Sequence, residues 1–160
     1  MNLRFLCANH RQWLMSDPRR AEQAWRDWLE RGHLLCEEGQ YLQALPFLGC
    51  AFELAEFLLS ERTPGFSVAV MRFTESARLL MEAYRQRGEG GHANYVLVIS
   101  SSRLARELAD RAHYPLTADC IRILYTAETS VPEPWRKRAR DTPEEWTQSA
   151  AASGAAPRLH

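Results

Sequence analysis

Lysine is almost missing from this chain of 160 residues: Lys137 stands alone, and every other basic residue is arginine. Twenty basic side chains meet twenty acidic ones, so the formal net charge is zero. No global field then draws the chain to nucleic acid or to an anionic membrane, and any such contact has to be local. Arginine suits bidentate ion pairs on protein surfaces, although a high-GC genome produces the same bias. Cysteine is also scarce. Cys7, Cys36, Cys50 and Cys120 form no CxxC pair, which excludes a disulfide framework, and three of them sit among apolar residues like small buried hydrophobes in a reduced setting. No stretch approaches the ~18 uninterrupted apolar residues of a membrane span. The apolar run within Met1 to Leu14 is broken at Asn9, His10 and Arg11, which leaves it too short and too polar for a signal peptide. The expected location is the cytoplasm. Alternating apolar and polar runs bounded by turn signals are missing too, which argues against strands.

What is present is helical periodicity over nearly all of the first 127 residues, and the expected fold class is all-α. Leu3, Leu6, Cys7, Trp13 and Leu14 suggest a first short helix. Asp17 and Pro18 then cap and open a second, reaching about Glu37. Glu38, Gly39 and Gln40 make a turn into a third helix, about Gln40 to Ser60, with Pro46 inside it. Thr63, Pro64 and Gly65 break the chain, and Ser67 is placed to cap a fourth helix reaching Arg87. Gly88 to Gly91 form the next turn. A fifth helix follows from about His92 to Ala112, and a sixth runs from Tyr114 and Pro115 to about Ala127, with Ile121, Leu124 and Tyr125 inward. After Thr129 the composition changes: Pro132 and Pro134 stiffen a linker, Arg136 to Arg140 form a basic run, and Thr142, Pro143, Glu144 and Glu145 match a capping box before Trp146. The division is therefore a helical domain over 1–128 and a linker with a short helix and a disordered tail over 129–160.

Trp28, Gly32, Leu35, Gly39, Tyr41, Ala44, Leu48 and Ala51 have the residue types and spacing of a helical hairpin. Gly32 and Ala51 allow close backbone approach, Gly39 accepts a positive φ, and Tyr41, Leu48 and Phe52 fill the space between helices. This segment, Trp28 to Leu54, resembles a tetratricopeptide repeat. It departs from that pattern at Arg31 and Pro46. A degenerate second copy spans about Ala77 to Leu104. Trp28 and Ala77 lie 49 residues apart, longer than the usual period of about 34 residues, so the helices are lengthened. The resemblance implies antiparallel hairpins stacked as a short right-handed array with flanking helices. It also implies a concave groove lined by the first helix of each pair. Arg26, Leu29, His33, Cys36 and Glu37 would line it from one copy, and Glu75, Arg78, Glu82, Arg85 and Gln86 from the other. The plain alternative is a solvated face.

Cys7 with His10 and His33 with Cys36 are two i, i+3 pairs of metal-ligand type, but both cysteines also read as core residues, and no metal or other cofactor is expected. Ser100, Ser101 and Ser102 lie on a helix without a G-x-S-x-G turn. Gly88 to Gly91 lack the GKS or GKT ending of a phosphate loop. Glu37 with Glu38, and Glu144 with Glu145, point to different helix faces. No catalytic set emerges, so the expected function is recognition rather than bond-making: a bacterial-style cytosolic adaptor or chaperone that holds a polypeptide partner in a helical groove. The competing expectations are a self-associating helical module forming a homodimer, motivated by Trp13 and Trp146, and a regulator touching nucleic acid through the basic segment after Trp135.

Overall fold

A computed structural model describes residues 3–126 and places six α-helices in them: α1 (Ala8–Met15), α2 (Pro18–Glu37), α3 (Tyr41–Ser60), α4 (Phe66–Gln86), α5 (Gly90–Ala105) and α6 (Tyr114–Tyr125). A 3-10 turn, Arg106–Ala109, follows α5. No strand occurs among the described residues, so the fold is all-α. The expectations for the linker, the basic run and Trp146 lie outside the described residues.

Local chemistry sets the helix boundaries. Asp17 caps α2 by accepting the Arg19 N–H at 3.0 Å, and Pro18 occupies the first turn, where no donor is lost. Gly39 ends the α2/α3 turn at φ 72°, and Gly88 does the same before α5 at φ 73°. Both turns reverse the chain. Across the first, a Cβ on Gly32 would come within 2.7 Å of Leu48 Cγ, so α2 and α3 touch backbone to side chain at this glycine. Phe52 stacks on Phe73 at 5.4 Å between α3 and α4, and Tyr84 on His92 at 5.0 Å between α4 and α5. Consecutive helices pack on one another, and α6 lies against both α4 and α5.

The most apolar helix is α3. By length and composition it would suffice to cross a membrane, and most of it is buried inside the fold as a core helix. α2 and α4 cover two of its sides. A third is covered by the N-terminal segment, and this corrects the expectation of a helix from Leu3. Residues 3–7 are not helical, with a bend at Leu6, because the Phe5 and Leu6 N–H groups donate to the Glu53 carboxylate instead of entering a helical turn, Leu6 at 3.2 Å. Arg11 of α1 pairs with the same carboxylate.

Four further expectations are corrected. Gly65, not Ser67, holds the N-cap position of α4. Gly90 and Gly91 begin α5 rather than extend the turn. α5 gives way at Arg106 to the 3-10 turn instead of continuing to Ala112, because Asp110 is extended and its side chain accepts the Ala112 N–H at 3.0 Å, diverting the chain. Tyr125, expected inward, is 62% exposed with its hydroxyl 3.4 Å from Ser101 Oγ.

Candidate functional site

Two chain reversals separate α2 from α4, so these helices lie side by side and point the same way. The contacts climb in step: Glu22 meets Arg72 (Nη1 to Oε1, 3.4 Å), Trp25 Nε1 donates to Ser76 Oγ at 2.9 Å, and Cys36 near the end of α2 feels the charge of Glu82 near the end of α4. Direct packing between the two helices is slight beside the packing of each on α3. Side chains therefore bridge a furrow whose floor is α3.

The amino-terminal half of this furrow is closed. Arg72 is fully buried, with its guanidinium 4.7 Å above the Trp25 ring. Burial lowers its proton affinity, and the Glu22 carboxylate opposes that shift. Ser76 Oγ in turn donates to the Arg72 carbonyl at 2.7 Å. Beside them Arg78 holds the buried Glu75 carboxylate with two bonds of 3.0 and 3.1 Å, and Glu22 also reaches Arg26 at 3.7 Å. A desolvated ion is costly unless paired; Glu22 pairs with Arg72 and Arg78 with Glu75, and of the contacts here Glu22–Arg72 and Trp25–Ser76 fix α4 against α2.

The carboxyl-terminal half is more open. His33 and Cys36 of α2 and Glu82 of α4 are half-buried, while Glu37, Arg85 and Gln86 are exposed. His33 Nε2 lies 3.8 Å from Glu37, and Gln86 donates to Glu82 at 2.7 Å. Burial first, then Glu82 and Glu37, push the Cys36 thiol up to about 11. It is therefore protonated at neutral pH, which suits contact rather than nucleophilic attack.

Of the ten residues expected to line a groove, eight keep some exposure and two do not. Leu29 and Glu75 are buried at 1% and 2%, Leu29 in the hydrophobic core and Glu75 in its ion pair with Arg78. Arg26 and Arg78 are half-buried and already paired. Sequence reasoning missed Glu22, Arg72 and Ser76. The available signal was one arginine amid the run Val68 to Phe73, which a helical wheel places beside Ser76 on the α2 side. The two cysteine–histidine pairs are not gathered into one site: Cys7 is exposed, His10 lies against Trp13 and Trp28, and no three metal-ligating side chains cluster among the described residues. Among the serines, Ser100 is buried and Ser101 donates to the Leu97 carbonyl at 2.8 Å, back-bonded within α5. No family model matches the chain, and no curated protein or solved structure is significantly similar to it.

Proposed function

We propose that this protein is an interaction module, a tetratricopeptide-like hairpin stack that holds a polypeptide partner along the α2/α4 furrow as a cytosolic adaptor or chaperone. The observation that supports this reading is the parallel, side-chain-bridged placement of α2 and α4 over α3, with an open half carrying His33, Cys36, Glu37, Glu82, Arg85 and Gln86. Its carboxylates, its protonated thiol and its single arginine favour a partner segment that is amphipathic and basic. The closed half acts as a rigid frame, and the open half supplies contacts.

The test starts from a partner recovered with the full chain and identified by mass spectrometry. Reversal of the exposed Arg85 (Arg85→Glu), or of Glu82 (Glu82→Arg), is expected to change its affinity at least tenfold while leaving helical content intact. Binding indifferent to both changes would reject the furrow. Self-association is the second reading, favoured by Trp13, which is 54% exposed on α1.

A further inference from the structure

The open half of the furrow carries negative charge that the helices around it leave unanswered. Glu22, Glu53, Glu75, Glu89 and Glu107 are buried or half-buried, and each pairs with an arginine. Glu82 is half-buried as well, yet its partner is the neutral Gln86 amide, at 2.7 Å. Glu37 and Glu38 stand at the end of α2, on the other side of the opening, and Glu37 reaches His33 at 3.8 Å. Arg85 pairs with none of these three among the described residues. A partly desolvated carboxylate without a cation is a charge left for a ligand to neutralise.

The chain itself returns to this end. The ring of Phe66, at the start of α4, lies 4.2 Å from that of His113, just before α6, and further along Thr74 meets Cys120. α6 therefore runs parallel to α4. With Cys120 level with Thr74, Tyr125 is level with about Leu79, and Glu82 lies ~5 Å further along α4. The sequence continues past Thr126 to Trp135, Arg136, Lys137, Arg138 and Arg140, an aromatic and four cations within six residues and no acid among them. Thr126 and Trp135 are nine positions apart, ~30 Å at full extension, or roughly three helix spacings of about 10 Å. The basic segment thus has both the reach and the charge to meet Glu37, Glu38 and Glu82, and an indole suits the half-buried Cys36 thiol between them.

We propose that Trp135 to Arg140 occupies the open half of the chain's own furrow, as a built-in competitor that a polypeptide partner has to displace. The competition rests on the furrow being the partner's site; the docking of the segment does not. Lys137 carries the one lysine amine of the chain, so carbodiimide coupling, which joins amines to carboxylates in direct contact, reports on it in the full-length protein. Mass spectrometry is expected to find Lys137 joined, within single chains, to Glu37, Glu38 or Glu82 and to no other carboxylate of residues 3–126. Arg136→Glu, Arg138→Glu and Arg140→Glu made together keep Lys137 and should lower that yield at least tenfold, as should molar salt. The same triple variant should hold a captured partner at least tenfold more tightly than the parent. No such link, a yield indifferent to the reversal, or links found only between two chains would overturn the proposal. Loss of the link while partner binding still responds to Glu82→Arg rejects the segment and keeps the furrow; a persistent link with a partner indifferent to Glu82→Arg keeps the docking and rejects the competition.

Discussion

Cys36, Cys50 and Cys120 are neutral thiols held above their ordinary range. Burial dominates in all three, raising Cys36 and Cys50 to about 11 and Cys120 to about 12; the Glu53 charge adds to the shift at Cys50, and a Thr74 hydrogen bond opposes it at Cys120. Cys7 is exposed. A thiol-specific reagent at pH 8 is therefore expected to label Cys7 at least ten times faster than the other three, and equal rates would contradict the packing. The same shifts give stability a pH dependence. A raised folded-state pKa means that the unfolded chain ionises first, so the stability these thiols contribute is complete below about 9 and falls as pH rises towards 11 or 12. Chemical denaturation at pH 7 and pH 10 checks the sign. Two hydroxyls, Ser100 Oγ and Thr117 Oγ1, are buried without a hydrogen-bond partner among the described residues. Thr117→Val removes such a group at nearly constant volume and is expected to stabilise the fold by about 1 kcal/mol.

At the scale of elements, glycines and one proline decide how the helices meet. Gly32→Ala would drive a methyl against Leu48, whose backbone nitrogen lies 3.3 Å from the new carbon, and is expected to cost about 1–3 kcal/mol in denaturation midpoint terms. Pro46, exposed inside α3, withholds one helical donor, so Pro46→Ala is expected to gain on the order of 1 kcal/mol. Much of this level was legible from residues alone. Asp17, Pro18 and Gly39 carry local signals for capping, first-turn geometry and positive φ, and α2 runs from Pro18 to Glu37 as they predict. What escaped the sequence was tertiary. Leu3 to Cys7 have helix-compatible residues, yet Glu53 claims the Phe5 and Leu6 N–H groups from 48 and 47 positions away. Leu29 has helical periodicity for either the floor or the rim of a furrow, and only its packing into the hydrophobic core buries it.

For the whole molecule, α3 and α4 form the interior, and the remaining helices and the N-terminal segment clothe them. The Glu22–Arg72 ion pair joins the outer helix α2 to the inner helix α4 at one end, the Glu75–Arg78 pair lies within α4, and the furrow opens at the other end. Rigid framing beside an open face is the division expected of a surface that must present side chains without reorganising on binding. The same division separates the effects of substitution. Arg72→Leu is expected to destabilise the fold by removing a buried partner of Glu22, whereas Arg85→Glu should leave the melting temperature within a few degrees of the parent. The measurement that tests the proposed binding surface most directly is site-specific photo-crosslinking, with a photoreactive residue at Cys36, at Glu82, or at the exposed Val98 of α5 as control. The expected result is one defined polypeptide captured from positions 36 and 82 and not from 98; equal capture at all three, or capture from 98 alone, would contradict it.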